Sequence, residues 1–139
     1  TNAVSQIHPW QPVLEEEIED YEDQFRSCVL QNVLFAKAFV PGMIERKWGR
    51  FIGINTECSM QLFKNQSAYG GAKRAMDGVL RVLAKEIGSH QITVNQVAPG
   101  WTISDRDRAQ GSEINEGYSR NVPLARRGTE THRLWRAPG

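Results

Sequence analysis

The chain has 139 residues and a mass of 15.7 kDa, enough for one domain around a single core. Hydrophobic residues make up 40% and charged residues 24%, a globular balance that excludes wholesale disorder. The 17 Lys and Arg offset 16 Asp and Glu, and a formal charge of +1 excludes a general polyelectrolyte attraction to nucleic acid or anionic membrane.

No uninterrupted apolar stretch approaches the roughly 20 residues that cross a bilayer. The two cysteines, Cys28 and Cys58, cannot build a disulfide scaffold, and the three histidines lack zinc-ligand spacing. These features predict a cytoplasmic protein with no metal, no membrane partner and no nucleic-acid partner. The opening Thr1-Asn2-Ala3-Val4 has neither an initiator Met nor a signal-peptide pattern, and reads as starting inside a longer pattern.

After the loop His8-Pro9-Trp10-Gln11-Pro12, the acidic run Glu15, Glu16, Glu17, Glu19 and Asp20 suits the positive end of a helix dipole. Apolar residues then recur at Ile18, Tyr21, Phe25, Val29, Val33, Ala36, Val40 and Ile44, one stripe of a long helix. Pro41-Gly42 is expected to bend or stop it. The acidic residues between 15 and 23 read as a solvated helix face.

Arg50 to Thr56 has the length and apolar character of a buried parallel strand. A second helix is expected from about Tyr69 to Ile87. Its buried face comprises Ala72, Met76, Val79, Leu80, Leu83 and Ile87, and Gly88 follows as a left-handed cap. Ile92 to Ala98 is β-branched and alternating, and Pro99-Gly100 closes it. Helix, strand, helix, strand with long crossovers predicts an α/β fold with a parallel sheet. Residues 101 to 121 read as a flexible loop or lid, and the arginine-rich end as a solvated terminus.

Chemistry concentrates at Tyr69 and Lys73, one helical turn apart in Tyr-Gly-Gly-Ala-Lys. A phenol with a pKa near 10 is a poor base at neutral pH, and a neighbouring ammonium is expected to lower that value. Such a pair can move a proton at a carbonyl or alcohol oxygen. Thr56 lies 13 residues earlier at a strand end, and Asn95 to Gly100 closes the following strand. Sites in open parallel sheets gather at carboxyl ends of strands, so these groups are expected to converge.

In this order the motifs resemble those of the short-chain dehydrogenase/reductase family, in the style of its 3-oxoacyl-carrier-protein reductase branch. Thr1-Asn2-Ala3-Val4 resembles the family's Asn-Asn-Ala-Gly, Val40-Pro41-Gly42-Met43 its Leu-Pro-x-Met, and Gly49-Arg50-Phe51-Ile52 its Gly-Arg-Ile-Val. Tyr69 to Lys73 matches Tyr-x-x-x-Lys, Val94 to Gly100 matches Val-Asn-x-Val-x-Pro-Gly, and Asn121 to Thr129 resembles the segment after the substrate lid.

The resemblance implies a partial Rossmann-type doubly wound parallel sheet lacking the N-terminal nucleotide-binding strands. It covers 1–129 as a partial catalytic domain, with 130–139 an atypical tail. By the same resemblance Tyr69 is the acid/base and Lys73 tunes it and binds the nicotinamide ribose, while Thr56 stands where the family has Ser. Asn2, Pro99, Gly100 and Thr102 are implied as further contacts to the cofactor, NAD or NADP. The implied substrate is a small carbonyl or alcohol, and the implied assembly a homo-oligomer through the two long helices. The family's catalytic Asn aligns by spacing from Pro41 onto Cys28, with Asn32 one turn further along. The alternative reading is a non-catalytic remnant that serves as a helix-mediated interaction module.

The family's Gly-rich phosphate loop is not found in the 139 residues. A dinucleotide is held chiefly by its pyrophosphate at such a turn. The chain by itself is therefore expected to show no saturable NAD(H) or NADP(H) binding below millimolar concentration, and to form a dimer or larger species. Calorimetry with each cofactor and light scattering check both expectations.

Overall fold

The computed structural model describes residues 7–111 and 116–120. Asn2, the segment from Asn121 and the expected boundary at Thr129 lie outside the described residues. The chain divides after Ala98 into two compact units, Thr1–Ala98 and Pro99–Gly139.

In the first unit, α1 spans Ile18–Phe25, with Glu19 and Asp20 in its first turn, where the helix dipole favours them. A π-helical segment, Arg26–Leu30, follows directly and continues into α2, Gln31–Glu45. The buried residues Gln24, Cys28, Asn32, Ala36 and Val40 recur every fourth position. A step of four overshoots an α-helical turn of 3.6 residues, and the wider π turn takes up the excess. This shift corrects the expected stripe: Ile18 and Phe25 are 68% and 44% exposed.

Two further expectations change here. Asp20 is buried and accepts hydrogen bonds from the His8 backbone N–H at 3.3 Å and ring Nδ1 at 3.0 Å, so the acidic run is not solvated throughout. Pro41 does not end the helix, which continues to Glu45. Proline removes one N–H from the ladder, but the unmatched carbonyl belongs to Lys37, on the exposed side, where solvent can reach it. Val40 anchors the helix before the proline, and Met43 and Ile44 pack against the core after it. The continuous run Ile18–Glu45 has 28 residues and contains an 18-residue stretch of mean hydropathy 1.4, enough by length and composition to cross a membrane. The run is not an uninterrupted apolar stretch, since Gln31, Asn32 and Lys37 fall within it. In the fold this run packs its buried side on β1 (Gly49–Ile54) and on α4 (Ser67–Ile87).

Strand β1 pairs in parallel with β2, Ile92–Val97, in the register Gly49↔Ile92 through Ile54↔Val97. Helix α4 makes the crossover, as parallel pairing requires. The sheet has two strands among the described residues. Phe51 is buried while Arg50 and Ile52 face outward, so β1 is buried on one face rather than on both. The described helices cover that one face.

Ala72, Met76, Leu80 and Ile87 form the buried face of α4, whereas Val79 is 36% exposed. Gly88 is right-handed (φ −59°) and opens a 3₁₀ turn, Gly88–His90; the left-handed residue is Gln91 (φ 62°), whose N–H closes on the Gly88 carbonyl at 3.1 Å. The chain tightens for one more turn before reversing into β2, which moves the left-handed position three residues on.

The second unit holds α5 (Asp105–Ala109) and α6 (Glu116–Ser119), in place of the expected structureless loop. Ser104 and Asp107 form a reciprocal cap at the start of α5: the Ser104 N–H donates to Asp107 Oδ2 at 2.8 Å, and the Asp107 N–H to Ser104 Oγ at 3.2 Å. Trp101 donates its backbone N–H to the Tyr118 hydroxyl at 2.8 Å, and the two rings meet edge to face.

Gly53 lets α4 approach the sheet, since a Cβ there would stand 2.5 Å from Leu80 Cδ1. Gly53→Ala is expected to cost about 1–3 kcal/mol by overpacking, and Leu80→Ala about 2–5 kcal/mol by leaving a cavity. Each change relieves the other, so the double variant is expected to lose less than the sum of the two. Urea unfolding of the four proteins checks the cycle; strict additivity would contradict the contact.

Candidate active site

The site begins where β1 ends. The Asn55 N–H continues the ladder to the Val97 carbonyl at 2.8 Å, and its side-chain amide donates to Gln96 Oε1 at 2.7 Å. Gln96 in turn donates to Asp77 on α4 at 2.8 Å, and Arg81 holds the other carboxylate oxygen at 2.8 Å. Asn55 Oδ1 accepts the Thr56 N–H at 2.8 Å. The Thr56 carbonyl accepts the Ser59 hydroxyl at 2.9 Å, and Thr56 Oγ1 accepts the Cys58 N–H at 3.3 Å, fixing the entry to α3 (Cys58–Gln61). Thr56 is thus a buried strand-end residue held from both sides.

Helix α4 brings its first turns against α3. A Cβ on Gly70 would lie 3.3 Å from the Cys58 carbonyl oxygen, a tight contact that leaves little room for a larger residue. That approach places Tyr69 near Thr56, whose hydroxyl draws the phenol's pKa down. One turn on, Lys73 is buried, its Nζ donating to the Ile54 carbonyl at 2.7 Å and lying 5.8 Å from the centroid of the Tyr69 ring. The structure therefore brings together Thr56, Tyr69 and Lys73.

The electrostatics differ from the expectation that Lys73 lowers the Tyr69 pKa. Burial pushes the phenol above its usual value, opposed by the nearby Thr56 hydroxyl. Burial also pushes the Lys73 amine down. The ammonium makes its close contacts to a main-chain carbonyl and to the ring face, and desolvation is the largest influence on the phenol. Tyr69 is protonated at neutral pH.

Cys28 lies in the π-helical segment, its thiol pushed up by burial and pulled down by the charge of Lys73. Asn32 donates from its side-chain amide to the Cys28 carbonyl at 2.8 Å and towards Met76 Sδ at 3.2 Å. Cys28 is thus coupled to the Lys73 charge, while Asn32 ties the helix to the core. Spacing from Pro41 could not separate these roles, because the intervening helix changes pitch.

Pro99, Gly100 and Thr102 belong to the second unit, where the Thr102 hydroxyl donates to the Gly100 carbonyl at 3.2 Å. Among the described residues, no group of three His, Cys, Asp or Glu is placed to hold a metal ion. One neighbour of the site escaped the reading of the sequence: the Trp10 ring stacks on Tyr69, with centroids 5.9 Å apart and planes at 15°. Its only sequence signal is an aromatic residue set between Pro9 and Pro12.

A family model described as enoyl-(acyl carrier protein) reductase matches residues 2–133. The chain belongs to the short-chain dehydrogenase/reductase family. It is 38% identical over 93 residues to the 3-oxoacyl-[acyl-carrier-protein] reductase FabG of Pseudomonas aeruginosa, covering 67% of this chain and 38% of that protein. Against the 3-oxoacyl-[acyl-carrier-protein] reductase of Homo sapiens it is 31% identical over 111 residues, 79% of this chain and 45% of the relative. The chain spans less than half the length of these curated relatives.

Among solved structures it resembles a 3-oxoacyl (acyl-carrier-protein) reductase from Agrobacterium tumefaciens with NADP bound, with a TM-score of 0.80 at 26% identity over 92% of this chain and 50% of the other. It also resembles acetoin dehydrogenase from Enterobacter cloacae, with a TM-score of 0.74 at 29% identity over 92% and 49%. These short-chain dehydrogenase/reductase neighbours establish the α/β Rossmann-type class, of which the described residues show the partial parallel sheet.

The Thr56 hydroxyl is the group that lowers the Tyr69 pKa against burial. Thr56→Val removes that hydroxyl at nearly constant volume, so Tyr69 is expected to ionise at still higher pH. Ultraviolet titration of phenolate, taken as the difference from a Tyr69→Phe background, checks the direction. An unchanged or lower midpoint would show that the two hydroxyls are not coupled.

Proposed function

We propose that the chain supplies the catalytic portion of a nicotinamide-dependent oxidoreductase that interconverts a small carbonyl compound and its alcohol. The observation that carries this reading is the meeting of Thr56, Tyr69 and Lys73 at the end of β1. The names of the relatives and neighbours, which include reductases and an NADP-bound structure, support it.

The donor set fits the ribose end of a nicotinamide cofactor. Lys73 has three N–H donors and spends one on Ile54, and Tyr69 adds a hydroxyl, a set suited to vicinal sugar hydroxyls. When bound in its reduced form, NADH or NADPH, the cofactor would supply the hydride. Asn2, Pro99, Gly100 and Thr102 are proposed as its further contacts. The chain's own residues handle the oxygen. Thr56 holds the substrate carbonyl by its hydroxyl, and Tyr69, protonated at neutral pH, gives its proton to that oxygen as the carbonyl carbon is reduced. The phenolate left behind is stabilised by the Lys73 charge.

We further propose that the working form is a cytoplasmic homo-oligomer. Leu30, Leu34, Phe35 and Phe39 along the first long helix are exposed, as are Val79 and Val82 on α4, and a second copy would cover such residues.

Tyr69→Phe keeps the ring and removes the proton. With the chain joined behind a relative's glycine-rich nucleotide-binding half, turnover of a ketone is expected to fall by about 10²- to 10⁴-fold while cofactor affinity holds. Steady-state kinetics check this, and full activity in the variant would overturn the assignment.

A further inference from the structure

We propose that Trp10 is a specificity-determining residue that favours ketones bearing an aryl or conjugated substituent; this deepens the reading of Tyr69 as proton donor and rests on it. The indole lies nearly parallel to the Tyr69 ring, 5.9 Å from it between centroids, and still keeps 40% of its surface exposed. Rings in van der Waals contact lie about 3.5–4.0 Å apart, so the larger separation means that they are offset and that part of the indole face extends past the phenol.

The loop that carries Trp10 is held at both ends. His8 is clamped to the buried carboxylate of Asp20 by its backbone N–H at 3.3 Å and its ring at 3.0 Å. The Gln11 N–H donates to Glu16 at 2.9 Å, and the Glu15 N–H closes a turn on the Pro12 carbonyl at 2.8 Å. Pro9 and Pro12 restrict the backbone on either side of Trp10. The indole is therefore a fixed apolar wall beside the Tyr69 ring. A carbonyl held at the Tyr69 hydroxyl presents its substituent to that wall, and a flat π-system gains more there than a saturated ring of equal size.

Acetophenone and cyclohexyl methyl ketone differ in aromaticity at nearly constant size, and nuclear magnetic resonance titration of the 139-residue chain reads both through the Trp10 indole N–H and nearby amides. The chain is expected to prefer acetophenone by about 2- to 12-fold, the range of an aromatic pair. Trp10→Leu is expected to abolish the preference, and Trp10→Phe to retain part of it. Equal binding of the two ketones by the parent chain, or a preference unchanged in Trp10→Leu, overturns the proposal. Undiminished turnover in Tyr69→Phe would instead overturn the proton-donor reading and leave the Trp10 titration to stand or fall by itself.

Discussion

A single buried ammonium sets the terms at the end of the first strand. Lys73 comes from a helix whose other inward residues are apolar, and bringing its charge out of water costs on the order of several kcal/mol unless it is matched. Two groups match it: the Ile54 carbonyl, which accepts a hydrogen bond at 2.7 Å, and the face of the Tyr69 ring, 5.8 Å away. Both partners depend on how α4 crosses the sheet. Ile54 is the last residue of β1, and Tyr69 shares a helical turn with the lysine, so the charge locks helix to strand where the chemistry is proposed to occur.

The rest of the packing serves that crossing. Gly53 and Gly70 are two places where a side chain would crowd the packing of α4, one against Leu80 and one against the Cys58 carbonyl. Between them, the line from Asn55 through Gln96 to Asp77 joins the strand ends to the helix by side-chain hydrogen bonds. The same burial that holds Lys73 and Tyr69 in place moves both pKa values, the phenol up and the amine down. A proton donor kept protonated by its surroundings suits reduction of a carbonyl better than removal of a proton from an alcohol.

The long first helix reaches the site differently. Its π-helical segment changes the pitch and carries the buried Cys28, whose thiol feels the Lys73 charge, while Asn32 is bonded to Cys28 and Met76. The apolar residues on the outer side of the same helix stay exposed, while its inner side serves the core.

Periodicity and motif order were enough to establish the α/β class, the parallel pairing, the extent of α4 and the grouping of Thr56 with Tyr69 and Lys73. Each depends on local spacing: one helical turn between two side chains, or a strand followed by a crossover long enough for parallel pairing. Tertiary structure decided the rest, because the deciding forces act between residues far apart in the chain. Pro41 continues its helix because Met43 and Ile44 pack beyond it; Asp20 is buried because His8 meets it; Tyr69 keeps its proton because burial outweighs the Thr56 hydroxyl. Trp10 shows the difference most plainly. Fifty-nine residues separate it from Tyr69, and no local pattern reports that the two rings stack.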